Sequence, residues 1–288
     1  MVKFLTRLKT KKTFIIIVFI IVLIFIYFYN NITNNELKTR NKQLSYLNEF
    51  DTYVAIGVLD DNGNLIDDGN TINMSNNNTV HHTIDLMQKI DENRDYLLIA
   101  MIDFELSPIK INGKMHNSYL FSTEKVDQIA LDIEIPKNSK ELTYIVIKNP
   151  NFMPENFDVG EIISLQTVLS KRFNLENSDE NIKYESNFTS SSKGPIDNLW
   201  ISSNKFEQQS IYRGKSGDKV YITLGNYSKE NLDYAVVMFS DWNQVAFNNG
   251  SNVKYFNLNP NEKQIFELTL PDINESSLFQ VIAFPMPY

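Results

Sequence analysis

Two apolar runs in this 288-residue chain are bounded by aspartate at both ends. Asp95 and Asp103 enclose the run in "ENRDYLLIAMIDF", and Asp233 and Asp241 enclose its counterpart in "ENLDYAVVMFSDW". Paired carboxylates can do acid–base work or hold a hard cation. Eight residues of extended chain cover about 26 Å, so the two aspartates of one copy stand at opposite ends of a strand and share neither a proton nor an ion. The pattern predicts scaffold instead. Asp95 and Asp233 are expected to cap the turn before the strand by accepting backbone N–H bonds, with Phe104 and Trp242 filling the end of a core.

Histidine occurs only as His81, His82 and His116. Imidazole is the commonest nitrogen ligand of metals, but neighbouring residues on a strand point to opposite faces. His81 and His82 therefore do not share an ion, and His82, in one alternation with Ile84 and Leu86, reads as a core histidine. In "LDDNGNLIDDGN", Asp60, Asn62 and Asn64 alternate as in a calcium loop, yet the glycine and glutamate that such a loop needs are replaced by Leu65 and Thr71. Asn62-Gly63 predicts a hairpin turn there. Gly-Lys-Ser occurs in "RGKSGDK", Arg213 to Lys219, but Gln209 stands where a phosphate-binding loop needs its first glycine. No Ser/His/Asp arrangement, G-x-S-x-G or H-E-x-x-H is present, and the absence of cysteine excludes thiol chemistry. N-x-S/T matches such as Asn187 and Asn226 are expected by chance in so asparagine-rich a chain. No catalytic, cofactor or metal residue is assigned.

The elements that carry these residues begin with "MVKFLTRLKTKK", which holds Lys3, Arg7, Lys9, Lys11 and Lys12 and no acid. Sixteen apolar residues follow, Phe14 to Tyr29. At about 1.5 Å per residue they cover most of a hydrocarbon core of roughly 30 Å. Tyr27, Phe28 and Tyr29 close the run where a cleavable signal would offer small residues, so a single-pass anchor is expected. The basic flank places the N-terminus in the cytoplasm and the rest outside. Beyond the span, all 35 acidic residues face 22 basic ones, a balance of −13. That surface suits neither nucleic acid nor anionic lipid. An exported chain without cysteine is held by its cores alone. The Asn, Ile and Lys richness points to an AT-rich genome and a Gram-positive envelope.

After a polar stalk, short alternating strands with Asn-Gly and Pro turns begin near Thr52. The second half repeats the first. At an offset of 138, Ile84 and Leu86 fall on Ile222 and Leu224, Asp95-Tyr96 on Asp233-Tyr234, and Asp103-Phe104 on Asp241-Trp242. Later turns lose single residues, so that Asn112-Gly113 falls on Asn249-Gly250, Tyr119 on Tyr255, Gln128-Ile129 on Gln264-Ile265, and Leu131, Ile133 and Ile135 on Phe266, Leu268 and Leu270. Between the copies, Ile162, Leu165, Leu169 and Phe173 share one helical face, and a Ser/Asn-rich stretch reads as flexible linker.

Strand rhythm and turn placement over about 200 residues resemble the immunoglobulin-like and fibronectin-like sandwich modules of surface-anchored bacterial proteins. The resemblance implies an all-β chain with two tandem antiparallel β-sandwich domains outside an N-terminal single-pass transmembrane helix. The expected organisation is a cytoplasmic basic tail over 1–13, the transmembrane helix over 14–29, a stalk over 30–49, a first sandwich over 50–155, a linker with a short helix over 156–194 and a second sandwich over 195–288. Such modules mostly bind or space. The expected function is non-catalytic binding of an envelope protein, membrane complex or envelope polymer, with no nucleic acid and no cofactor. The alternatives are an envelope hydrolase with acidic residues in an inter-domain cleft, and a passive spacer or accessory subunit of a membrane transport complex.

Overall fold

The computed structural model describes residues 53–72, 78–89, 92–152, 167–175, 182–192, 199–205, 207–210, 214–248, 250–272 and 277–285. The chain divides into two compact units, Met1–Tyr53 and Val54–Tyr288. The expected tail, span and stalk lie in the first, outside the described residues. The described chain is all-β, with several antiparallel sheets and no helix among the described residues.

The first half contributes β1 (Tyr53–Leu59), β2 (Thr71–Ile72), β3 (Thr79–Lys89), β4 (Arg94–Ile102), β5 (Glu105–Ser107), β6 (Ile109–Ile111), β7 (Lys114–His116), β8 (Tyr119–Thr123), β9 (Val126–Glu134), β10 (Glu141–Lys148) and β11 (Thr167–Leu175). The second contributes β12 (Thr189–Ser191), β13 (Leu199–Asn204), β14 (Glu207–Ser210), β15 (Lys219–Gly225), β16 (Leu232–Ser240), β17 (Asn243–Val245), β18 (Lys254–Leu258), β19 (Lys263–Thr269) and β20 (Phe279–Pro285). Four sheets result. The first runs β1-β3-β9-β6-β7, and the second runs β2-β11-β10-β4-β5 with β8 also on β4. The third is β17-β16-β18 with β20 on the other side of β16, and the fourth is β12-β19-β15-β13-β14.

Three apolar layers lie between these sheets, and the alternation of side chains along β4 and β16 explains why. Tyr96, Leu98, Ala100 and Ile102 point into the first layer, against Ile84, Leu86, Ile109 and Leu131. Leu97, Ile99 and Met101 point the other way, into a middle layer completed by Ile145 and Ile147 and, from the second half, by Ala235, Val237, Phe239 and Phe284. Tyr234, Val236 and Met238 then pack on Val220, Ile222, Leu224 and Phe256 in the third. A strand covered on both faces is apolar at nearly every position, which accounts for the runs "YLLIAMI" and "YAVVMF" and for "LTYIVI", where Thr143 alone is polar.

The backbone carries the duplication through. β4 and β16 cover identical spans at an offset of 138. Farther on, the registers correct the sequence matching. Tyr96 faces Phe121 and Tyr234 faces Phe256, so β8 and β18 correspond at 135, and Tyr119 matches Lys254 rather than Tyr255. Ile84 faces Ile129 and Ile222 faces Phe266, so β9 and β19 correspond at 137, which pairs Leu131 with Leu268 and Ile133 with Leu270. The match of Leu131 and Ile133 slipped by two because apolar residues recur at every second position, while Tyr119 and Gln128-Ile129 slipped by one by following single identities.

Of the helix expected between the copies, residues 160–166 lie outside the described residues and the rest is corrected: Thr167–Leu175 is a strand, paired antiparallel along the whole of β10. Leu169 and Phe173 are four apart, a spacing that fits one face of a helix or of a strand. The open edge of β10 decides, because a strand there satisfies backbone groups that a helix would leave unpaired. In the stretch read as linker, Tyr184 bridges to Tyr255 and β12 pairs with β19.

Candidate functional site

The residues that the sequence singles out divide between one surface groove and a set of structural ties. The groove encloses about 390 Å³ where the turn after β1 faces β2 and the start of β3, and Asp60, Asp61, Ile66, Thr79, His81 and His82 line it. Asp60 sits at the mouth but is occupied. Its Oδ1 accepts the N–H groups of Asn62 at 2.9 Å and Asn64 at 2.8 Å, and Asn64 Nδ2 donates to its Oδ2. Partial burial pushes this carboxyl up, and the bonds from Asn64 and Asn62 outweigh it, so it lies below the usual carboxylate range. Gly63 takes φ 79°, the left-handed conformation that a turn demands and that glycine adopts without strain. The stretch is thus a hairpin turn organised by its first aspartate, as Asn62-Gly63 predicts.

His81 and His82 diverge as adjacent strand residues must. His81 Nδ1 lies 2.6 Å from Asp132 Oδ1, half-exposed. His82 is buried in the first layer, with Nδ1 3.0 Å from the Tyr144 hydroxyl and its ring against Tyr144 and Phe173. Burial drives its pKa down to about 4, against the opposing pull of Asp61 and Asp60, so the imidazole is neutral at pH 7. Burial also raises the Tyr144 hydroxyl, which stays protonated. His82, which lines the groove, and Tyr144 behind it therefore form an uncharged pair. His116 lies apart, its ring edge-on to Tyr119 at 5.2 Å. Among the described residues no group of three or more His, Asp or Glu is disposed to hold a metal ion.

The duplicated aspartates tie strands together. Asp95 and Asp233 do not cap the preceding turn: they lie inside β4 and β16 and bond across the ladder, Asp95 accepting from Ser122 Oγ and Asp233 from Asn257 Nδ2. Ser122 and Asn257 are themselves matched positions, at the offset of 135. A strand residue has its carboxylate directed sideways over its cross-strand neighbour, where it meets that side chain before it meets the turn. Asp103 and Asp241 fasten the opposite ends. Asp103 Oδ1 accepts from the N–H groups of Lys140 and Glu141, and Asp241 Oδ1 accepts from that of Leu278. Asp103-Phe104 and Asp241-Trp242 all have φ between 48° and 65°. Both turns are two-residue hairpin loops of the type that needs positive φ twice. Bulky residues seldom accept that conformation, and here burial holds them: Phe104 and Trp242 both pack into the middle layer.

Two groups escaped sequence reasoning. Gln88 donates from Nε2 to the carbonyls of Glu92 and Thr123. Its counterpart Asn226 donates from Nδ2 to those of Glu230 and Leu258. All three pairs of positions are equivalent, and two amides at an offset of 138 in an otherwise apolar row were the available signal. The other group is the buried Glu141, whose carboxylate takes Arg172 Nε at 2.7 Å, Arg172 Nη2 at 2.8 Å and Thr143 Oγ1 at 2.7 Å. Arg172 Nη1 continues to the Pro285 carbonyl at 2.7 Å, and the guanidinium lies over Phe104 and Phe284. Nothing in spacing connects residues 31 apart on neighbouring strands.

No family of known proteins matches the chain, and no curated protein matches it. Among solved structures, a red sea bream transglutaminase overlaps 82% of this chain and 29% of its own, at 6% identity and a TM-score of 0.23. The secreted serine protease VesC from Vibrio cholerae overlaps 73% and 48%, at 8% identity and 0.19. A two-domain protein of unknown function from Bacteroides fragilis overlaps 85% and 98%, at 10% identity and 0.20. The chain spans less than half the length of the first two, and at these scores none of the three bears on its fold or activity.

Proposed function

We propose that this chain is a membrane-anchored, extracytoplasmic binding or adaptor protein of a Gram-positive cell envelope. Phe14–Tyr29 is its single-pass anchor, with the N-terminus in the cytoplasm. The first and second sheets form one immunoglobulin-like or fibronectin-like sandwich and the third and fourth form another, in tandem. Its partner is an envelope protein, a membrane complex or an envelope polymer, since the acidic surface disfavours nucleic acid. The observation that carries this reading is the sequence order itself: five basic residues, sixteen apolar ones, then an acidic, cysteine-free chain rich in β-strand.

The competing reading is an envelope hydrolase with acidic residues where the halves meet. Of two acids at that junction, Glu141 commits both oxygens to Arg172 and Thr143, and Asp103 commits Oδ1 to two backbone N–H groups, which favours binding. The test uses the absence of native cysteine. A single cysteine replacing the exposed Ser216 should react with a membrane-impermeant maleimide in intact cells, while one replacing Thr6 should react only after lysis. Crosslinking from the labelled site should then retain a specific envelope component. Labelling of Thr6→Cys in intact cells, or release of the chain by a salt wash, would overturn the anchor.

A further inference from the structure

The two halves treat one equivalent edge differently. In the second half, the outer edge of β18 is covered by the chain's own Tyr184–Glu185. Tyr184 forms a parallel bridge with Tyr255, and the Glu185 N–H donates to the Tyr255 carbonyl at 2.7 Å. The Tyr184 hydroxyl donates to Asp233 Oδ2 at 2.7 Å, and Glu185 pairs with Lys254 at 2.8 Å. One aromatic residue of an extended segment thus reads the backbone of β18 and the carboxylate of β16 together.

In the first half, β8 stands where β18 stands. Leu97 faces Leu120 as Ala235 faces Tyr255, so Leu120 holds the place of Tyr255 and turns its backbone outward. Asp95 holds the place of Asp233, with Oδ1 on Ser122. Among the described residues β8 pairs with β4 alone. Its apolar Leu120 is 55% exposed, whereas Tyr255, its counterpart, packs against the middle layer. An exposed edge with an apolar residue is a template for another strand.

We propose that β8 receives an extended segment of a partner protein, running parallel to it, with a tyrosine whose hydroxyl bonds to Asp95. The inference rests on the binding reading above and narrows it to strand addition at a named edge. The covered edge of β18 supplies the chemistry of the occupant: a tyrosine set beside Leu120, with the following amide donating to the Leu120 carbonyl. No acidic residue is required after that tyrosine, because Tyr119 replaces Lys254.

The probe is a fluorescent peptide with the sequence of residues 182–188, Ile-Lys-Tyr-Glu-Ser-Asn-Phe, titrated against the full chain by anisotropy. Saturable binding is expected, weakened at least tenfold by Leu120→Pro, which removes an outward N–H and leaves the ladder to β4 intact. Asp95→Asn and a Tyr-to-Phe peptide should each weaken it about three- to tenfold, and the two changes together no further than either alone. Equal binding to Leu120→Pro, or none to the wild-type chain, overturns the inference, as does peptide-free self-association that Leu120→Pro abolishes. An envelope component captured equally by wild type and Leu120→Pro sinks strand addition here and leaves the binding reading standing, so the two fail separately.

Discussion

Glu141 and Leu278 hold equivalent places, each one residue before the first that pairs with β4 or β16, Leu142 with Ile102 and Phe279 with Ser240. In the first half the place is charged, because β11 brings Arg172 alongside β10 and the guanidinium makes a bidentate bond to the carboxylate. In the second half no described strand lies beyond β20, and the residue is apolar. Likewise His82 occupies the inward position that Val220 fills in the other copy, and the buried Gln88 is matched by the shorter Asn226. The duplication has kept backbone positions and replaced the chemistry at them. Most buried polar groups are kept with partners, and both replacements brought one along: Arg172 for Glu141, and Tyr144 for His82.

Substitutions can break this comparison, starting with the residue that joins the halves. Trp242 is buried in the middle layer and its Nε1–H donates to the Pro150 carbonyl at 2.8 Å. Trp242→Ala should cost about 4–5 kcal/mol, measured by urea unfolding, and Phe104→Ala about 3–4 kcal/mol. A loss below about 1 kcal/mol at either would place that residue at the surface and dissolve the shared layer. Glu141→Ala strands the Arg172 cation and should cost about 3–4 kcal/mol. The double variant Glu141→Leu with Arg172→Met, which brings the first half close to the chemistry of the second, should recover most of that loss.

The His82 comparison is read through pH. Its pKa is depressed in the folded state, to about 4 from 6.5, so the unfolded chain takes up the proton first as pH falls. The stability that depends on neutral His82 is complete above about pH 6.5 and is lost on descent towards pH 4, by up to about 3 kcal/mol. His82→Val, which installs the residue of the second half, should flatten that part of the stability profile; an unchanged slope would assign the pH dependence elsewhere. The smallest effect concerns the amides. Gln88→Ala and Asn226→Ala each remove an amide that bonds two carbonyls and should cost about 2 kcal/mol apiece, with near-equal losses as the signature of equivalence.

How far the sequence foretold this depends on range. The apolar runs of β4 and β16 were legible, because a strand buried on both faces is apolar almost throughout, but their ends were not: Asp95 and Asp233, read as turn residues, lie inside the strands. Asn62-Gly63 and the divergence of His81 and His82 were legible for the same local reason: turn chemistry and the two-residue period act within a few bonds. What the second face of β4 meets was not legible, since alternation says that Leu97, Ile99 and Met101 are buried but not against what. The β11 segment misled because Leu169 and Phe173, four apart, satisfy both periods, and only the vacant edge of a distant strand chooses between them. The Glu141–Arg172 pair was invisible for a related reason, as it is made by strand pairing rather than by spacing.

The middle layer has a consequence for the order in which the molecule can be made. When Lys148 has left the ribosome, every strand of the first half except β11 has been synthesised, yet Leu97, Ile99, Met101, Ile145 and Ile147 still await Ala235, Val237, Phe239 and Phe284. At about 5–20 residues per second, that greasy face stays bare for on the order of ten seconds while the remainder is translated. The nascent chain therefore passes through a sticky half-finished stage that only its own C-terminal copy can end.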